Sequence, residues 1–219
     1  STDQLLEGFA DDSNPEWLWS MRSVADDNNG YLHVASFYDA ARTLGYNSFR
    51  LDRDFYALFK DTDIRQQQFF NNGAIYSGGA IATKFDHVSG WVMDQVLMRA
   101  SEMYLIEAEA EAELGAGHEA AARAALFAIQ SRADDTAVES TNSGQALVDE
   151  VILERRKELF GEGFRWFDLN RKGLTLVRTS ESHWSKQNMP ITDNLRVWPI
   201  PQDEIDANPN MVQNPGYAK

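Results

Sequence analysis

Two alanine-rich segments of helical periodicity meet across Gly115-Ala116-Gly117, and three residues leave the chain no course but to reverse on itself. On the first segment, Leu97–Leu114, the residues Leu97, Ser101, Tyr104, Leu105, Ala108 and Ala112 recur at helical spacing. On the second, about His118–Arg132, the stripe is Ala122, Leu126 and Ile129, continued by Ala133. Ala108, Ala110 and Ala112 on one side, and Ala120, Ala121, Ala122, Ala124 and Ala125 on the other, let the two backbones approach closely. The spacing therefore predicts an antiparallel helical hairpin. A third helix is predicted over about Gly144–Phe160, with Leu147, Val148, Val151, Ile152 and Leu159 as its apolar stripe. Asn142 or Ser143 can cap it, and Asn142 stands three residues before Gln145, the spacing of a capping box. Gly161 and Gly163 break that helix. Phe164–Asn170 can add one more turn, with Trp166 and Phe167 pinned into the core.

Away from residues 94–173 the pattern weakens. Residues 1–93 are aromatic-rich and irregular, and residues 174–219 read as a loop-rich tail. Glu16-Trp17-Leu18-Trp19-Ser20-Met21 alternates as a short strand would, with Trp17 and Trp19 on one face. Short helices are predicted at Ser36–Leu44, stopped by Gly45, and at Arg53–Phe59, capped by Asp52. From about Gln95 onward the register reads as helix. Near the end, Trp198-Pro199-Ile200-Pro201 must be extended, and Gln202–Ala207 can turn. The expected fold class is mainly α: the antiparallel hairpin plus the third helix, with long irregular loops and a few short strands, in one region spanning 1–219.

The chemistry is bounded by what the chain lacks. It has 219 residues and no cysteine, so thiolate catalysis, disulfides and cysteine-ligated metals are excluded. Its formal net charge of −14 repels phosphate backbones, and no nucleic-acid partner is expected. No run of residues is long and apolar enough to span a membrane. The chain opens on Ser1-Thr2-Asp3-Gln4, without Met and without a signal peptide, which reads as a processed or cut chain. Asp27, Asn29 and Gly30 fit three positions of a calcium loop, but Ala25 and Ser36 occupy the positions that need carboxylates, so the segment reads as a turn. His33, His87, His118 and His183 have no partner at metal-ligand spacing. No catalytic residue, metal or cofactor is expected.

Two groups of residues remain candidates for function. Glu102, Glu107, Glu109, Glu111 and Glu113 form an acidic run with no local cation. Arg155 falls beside the apolar stripe of the third helix and is predicted to point inward, so that Arg155 or Arg156 pairs with Glu102 or Glu109. A competing reading makes Glu107 and Glu111 the paired carboxylates of a hydrolase. The second group is the aromatics. Of six Trp, seven Tyr and twelve Phe, most belong to core elements: Trp17, Trp19, Tyr104, Phe127, Phe160, Phe164, Trp166 and Phe167 are assigned there. Tyr31, Tyr46, Tyr76 and Trp184 sit among Asn, Asp, Ser and His in predicted loops. Exposed rings in polar loops suit stacking on the flat faces of sugars, so these four are the candidate ligand-binding residues.

Three ordered motifs carry a family resemblance. Leu97-Met98-Arg99-Ala100-Ser101-Glu102-Met103-Tyr104-Leu105-Ile106-Glu107-Ala108-Glu109-Ala110, closing at Leu114-Gly115, is the first. Ile152-Leu153-Glu154-Arg155-Arg156-Lys157-Glu158-Leu159-Phe160-Gly161-Glu162-Gly163-Phe164-Arg165-Trp166-Phe167-Asp168-Leu169-Asn170-Arg171-Lys172-Gly173 is the second and stronger. Pro199-Ile200-Pro201-Gln202-Asp203-Glu204-Ile205-Asp206-Ala207-Asn208-Pro209-Asn210, with Gln213-Asn214-Pro215-Gly216-Tyr217, is the third. Together they resemble the C-terminal part of SusD/RagB-family nutrient-binding outer-membrane lipoproteins. The resemblance implies capture of a glycan or other nutrient at the cell surface and delivery to a SusC-like TonB-dependent transporter, without catalysis. It also implies a longer protein, whose N-terminal half carries a lipid anchor and tetratricopeptide-like helices absent from this chain. The alternative within the same family is a purely structural half that docks those repeats and the transporter.

Overall fold

The computed structural model describes residue 9, residues 13–38, residue 49, and residues 51–70, 79–85, 92–178 and 187–217. In chain order, strand β1 (Trp17–Met21) is followed by helix α1 (Val34–Tyr38), strand β2 (Leu51–Asp52), helix α2 (Arg53–Tyr56), and strands β3 (Phe69–Phe70), β4 (Gly79–Ala82) and β5 (Gln95–Arg99). The three long helices come next: α3 (Ala100–Leu114), α4 (Glu119–Ala133) and α5 (Gly144–Glu158). A short α6 (Arg165–Arg171), the strands β6 (Leu176–Arg178) and β7 (Gln187–Met189), and α7 (Gln202–Ala207) complete the sequence of elements. Single 3-10 turns fall at Gly30–Leu32, Ile64–Gln68 and Asn194–Arg196.

The predicted hairpin forms. Gly115 and Gly117 take φ of +75° and +94°, in the left-handed region that glycine enters without penalty, and α3 and α4 pack antiparallel beyond them. Ala108 and Ala112 meet Ala122 and Ala125 in one buried cluster with Leu105, Leu126 and Ile129, and α5 closes it with Leu147, Val148, Val151 and Ile152. A second core is almost wholly aromatic: Phe9, Tyr38, Phe55, Phe59, Phe69, Phe85 and Phe160. Phe160 stands 4.9 Å from Phe69 and 5.7 Å from Phe55, centroid to centroid. It lies just beyond the end of α5, so the helical core feeds straight into the aromatic one. Among the described residues the strands pair antiparallel in three pieces of sheet: β1 with β5, β4 between β2 and β3, and β6 with β7.

Several expectations are corrected. Residues Gln95–Arg99 are strand, and helix begins only at Ala100. Val96, Leu97 and Met98 satisfy their backbone against β1, with Ser20 opposite Val96 and Trp19 opposite Met98. Register shifts on either side of Trp19 interrupt the alternation of β1. Trp17 therefore packs on the aromatic core while Trp19 is 60% exposed, although sequence alternation puts both on one face. Tyr104 is 46% exposed and Phe167 69% exposed, so neither is core. On α6 the inward positions go to Asp168 and Leu169, because Asp168 is needed by two arginines described below. The capping box of α5 is not made. Asn142 donates its side-chain amide to Glu150 Oε2 (2.8 Å), and the Gly144 N–H donates to Glu119 Oε1 (2.8 Å), a carboxylate from the start of α4. The Asp52 cap is present, accepting from the Asp54 N–H at 2.9 Å, but α2 ends at Tyr56. α1 ends at Tyr38 as described, and the predicted stop at Gly45 lies outside the described residues.

One glycine is held by a neighbour as well as by its dihedral angle. Gly161 has φ +76°, and a Cβ there would stand 2.5 Å from Phe85 Cε2. Gly117 has open space around it. Gly117→Ala should therefore cost about 1 kcal/mol from the dihedral angle alone, and Gly161→Ala about 1–3 kcal/mol more from overpacking. Urea unfolding of the two variants measures the difference, and equal losses would contradict the packing at Phe85.

Candidate ligand-binding site

The interior between the two cores is ionic. Arg65, placed by the Ile64–Gln68 turn, reaches Asp63 (2.8 Å), Glu154 Oε1 (2.6 Å) and Glu158 Oε2 (2.9 Å). Arg99, the last residue of β5, donates to Glu158 Oε1 (2.6 Å), to the Glu158 carbonyl (2.7 Å) and to both oxygens of Glu162 (2.8 Å each). Arg132 on α4 reaches Glu158 Oε1 at 2.5 Å and also pairs with Glu16. Lys84 pairs with Glu162 and donates to the carbonyls of Glu158 (3.2 Å) and Phe160 (3.1 Å), with the rings of Phe9 and Phe160 each 4.5 Å from its ammonium. Burial alone would raise the Glu158 pKa, but Arg99, Arg132, Arg65 and Lys84 outweigh it and hold the carboxyl well below the usual glutamate range. Glu162 is lowered likewise, by Arg99 and Lys84 against its burial. Burial pushes the Lys84 ammonium down to about 8, with Glu162 opposing. Each of these groups is engaged by another, so the network holds structure.

The acidic run of α3 is compensated in part, and by other partners than predicted. Glu109 pairs with Arg171 (2.7 Å from Nη2 to Oε2), and Glu113 pairs with Lys172. Arg155 does point inward, but it binds Asp168 at 3.2 Å, and Arg171 shares that carboxylate at 2.7 Å. The basic end of α6, rather than its aromatic residues, is what faces α3. Glu102 is left in the neighbourhood of Arg155 without an ion pair among the described residues, and burial pushes its carboxyl up against the pull of Arg155. His33 is buried, accepts from the Ala35 N–H at 3.1 Å, and is held below its usual pKa by burial.

Of the four predicted stacking residues, the described part includes only Tyr31. Tyr31 contributes backbone to the Gly30–Leu32 turn, and Tyr46, Tyr76 and Trp184 lie outside the described residues. Among the described residues, one aromatic of the loop-rich tail stands out. Trp198 is 82% exposed on a backbone held from several sides. Gln213 clamps Ile200 by accepting from its N–H (2.8 Å) and donating to its carbonyl (2.9 Å). Asn214 donates to the Trp198 carbonyl (2.7 Å), and the Tyr217 hydroxyl donates to that of Val197 (2.8 Å). Pro199 and Pro201 stiffen the rest. A large ring on a fixed backbone is a preformed stacking platform, and the two prolines that follow are the sequence signal that marks it.

A cleft of about 280 Å³ opens between Leu58–Arg65, the end of α4 and the side of α5. Its walls carry Leu58, Val138 and Leu153 beside Lys60, Asp63, Asp134, Glu150 and Lys157, and no ring lines it among the described residues. Its charges are already satisfied: Lys157 by Asp63 (3.0 Å), Lys60 by Asp134 (3.9 Å), and Glu150 by Gln130, Ser140 and Asn142. A second, shallower groove of about 330 Å³ runs along Ile106, Ala110 and Glu113 of α3.

The frame is a mainly helical scaffold with a packed ionic interior, and exposed rings fall on β1 (Trp19), α3 (Tyr104), α6 (Phe167) and the tail (Trp198). Residues 60–217 match the model of the SusD family, and the chain belongs to that family. The SusD-like protein P38 of Formosa agariphila is 30% identical over 128 residues, 56% of this chain and 24% of that protein. The starch-binding protein SusD of Bacteroides thetaiotaomicron is 32% identical over 127 residues, 57% of this chain and 22% of that protein. A SusD superfamily protein from Bacteroides thetaiotaomicron superposes with a TM-score of 0.84 at 28% identity, over 98% of this chain and 52% of its own length. A SusD-like carbohydrate binding protein from Bacteroides vulgatus superposes with a TM-score of 0.76 at 25% identity, over 95% of this chain and 51% of its own. The chain thus spans about half the length of these solved structures.

Two outcomes follow from the ionic interior. Arg99→Met leaves Glu158 and Glu162 under-paired out of water and should lower unfolding free energy by about 3–5 kcal/mol in urea; an unchanged midpoint would mean that the pairs contribute nothing. The native pKa values of Glu158 and Glu162 lie below their unfolded values, so their stabilisation is complete above the ordinary glutamate range and is lost as pH falls through the depressed native values. Thermal melts should therefore fall steeply on acidification below about pH 4.3, and a flat profile there would contradict the depressed carboxyls.

Proposed function

We propose that this chain captures an oligosaccharide or similar nutrient as part of a cell-surface protein that delivers it to a SusC-like TonB-dependent outer-membrane transporter, and that it breaks no bond. The observation that carries this reading is the family match across residues 60–217, together with a superposition on a carbohydrate binding protein over 95% of the chain. The loop rings Tyr31, Tyr46, Tyr76 and Trp184 are the proposed ligand contacts, and Trp198 joins them. The proposed anchor is a lipid on an N-terminal segment outside this chain. No helix among the described residues is long and apolar enough to cross a membrane.

The hydrolase reading finds little support. Glu107 is exposed on α3, Glu111 is occupied by His118 Nδ1 at 2.6 Å, and neither lines either cleft. The structural-half reading draws on the outer face of α3, where Tyr104, Ile106 and Leu114 are exposed. A further layer of helices, such as N-terminal repeats would supply, could cover that face.

Calorimetric titration of the chain with a panel of oligosaccharides, followed by chromatography of the mixture, separates these readings. Capture predicts saturable heat with the sugars recovered intact, and Trp198→Ala should weaken binding by about 1–3 kcal/mol, the range for stacking on an aromatic platform, without lowering the melting temperature. Shortened products would favour the hydrolase. Binding by a full-length relative but not by this chain would favour the structural half.

A further inference from the structure

Among the described residues four arginines are buried, and three of them are fully used. Arg65, Arg99 and Arg196 each place both terminal guanidinium nitrogens on oxygen acceptors. Arg155 differs. It is 5% exposed, its Nε donates to Asp168 Oδ2 at 3.2 Å, and its Nη1 is buried without an acceptor among the described residues. A buried N–H without an acceptor carries its full desolvation cost, so the position favours a partner that brings an oxygen to it.

Arg155 also belongs to the wall of the shallow groove on α3. That groove, of about 330 Å³, is lined by Ile106, Glu109, Ala110 and Glu113 of α3, by Arg155 of α5 and by Arg171 of α6. Its volume is at the lower end of those that hold small ligands, about 300–1,000 Å³. Ile106 and Ala110 are both exposed and stand one turn apart, which makes an apolar strip along the helix. Phe167, 69% exposed, stands one turn before Arg171 on the same side of α6 and so brings a ring to the edge of the groove.

The charges of the groove are balanced within the fold. Arg171 joins Glu109 to Asp168, and Lys172 pairs with Glu113. An anionic guest would meet Glu109 and Glu113, and a cationic one Arg155 and Arg171. A purely apolar guest would leave the Arg155 donor unfilled. A hydroxyl serves both needs: it accepts from a guanidinium and donates to the lone pairs that a carboxylate keeps beside its ion pair. The C–H face of a pyranose ring, with hydroxyls at its rim, matches an apolar strip edged by such groups.

We propose that this groove is a saccharide subsite for an uncharged pyranose unit, whose C–H face lies on Ile106, Ala110 and the Phe167 ring and whose hydroxyls join Arg155 to Glu109 or Glu113. This rests on the carbohydrate-capture reading. It adds to that reading a contact surface built on helices and a preference for neutral sugar.

The test reads the groove and the whole chain separately. The isotope-labelled 219-residue chain is titrated with maltotriose, cellotriose and a galacturonate trimer, with the Ile106 methyl followed by NMR and the total heat by calorimetry. At least one neutral trimer should move the Ile106 methyl saturably, at a concentration about tenfold below that needed by the galacturonate trimer. Ala110→Leu, which fills the groove, and Phe167→Ala, which removes the ring, should each weaken that response about tenfold. Heat without movement of the Ile106 methyl, or a movement that survives either substitution, overturns the groove assignment and leaves carbohydrate capture standing. A galacturonate trimer that acts at the same concentration as the neutral ones, or a lower one, overturns it too. If none of the three gives heat or movement, capture by this chain fails and the subsite fails with it. Should a variant lose its fold, the Ile106 response and the order of the three trimers on the unaltered chain still decide the outcome.

Discussion

The carboxylate of Glu158, at the end of α5, is fastened by Arg65, Arg99 and Arg132, three arginines from segments far apart in the chain. Taking a carboxylate out of water costs several kcal/mol, and the cost is recovered only when its partners are in place together. Arg65 reaches it only if the Ile64–Gln68 turn packs against α5, Arg99 only if β5 has paired with β1, and Arg132 only from the end of α4. The helical core and the aromatic core are thereby joined through one residue. Lys84 extends the joint by binding the carbonyls at the end of α5 and the Glu162 carboxylate just after it. This placement also meets the negative end of the α5 dipole.

That joint shows how a chain with long irregular segments can present rigid loops. The α3–α4 hairpin and α5 form a close-packed base whose alanines permit short separations. The aromatic core is pinned to it by Phe160 and by the ions behind it. Trp198, on its clamped backbone, is a ring that this scaffold leaves exposed.

Much of the helical part is legible in the sequence because a period near 3.6 sustained over fifteen residues suits a helix and little else. The hairpin, its Gly-Ala-Gly reversal and the third helix all follow from that pattern. β5 is hidden because Val96-Leu97-Met98 continues the helical spacing of α3, and only its pairing with β1 makes it strand. Trp19 and Phe167 are misplaced by their sequence patterns for a related reason. Local alternation cannot register a bulge, and a seven-residue helix has too few positions to say which face turns inward. The inward turn of Arg155 is legible from its position on the stripe of α5, but its partner is not, since Asp168 and Glu109 are equally acidic in sequence and differ only in the fold. The candidate site is the least legible. Loop composition selects Tyr31, Tyr46, Tyr76 and Trp184, of which the described residues include only Tyr31, and the exposed Trp198 stands out only once its exposure is known.

Native-state hydrogen exchange tests most directly whether Glu158 joins the two cores. If it does, amides of α5 in the helical core and of β3 and β5 beside the aromatic core should exchange with the same, global free energy. In Glu158→Gln the β3 and β5 amides should open at lower free energy than those of α5. Exchange of β3 and β5 well below the α5 amides in the unaltered chain, or the same single free energy in Glu158→Gln, would contradict the joint.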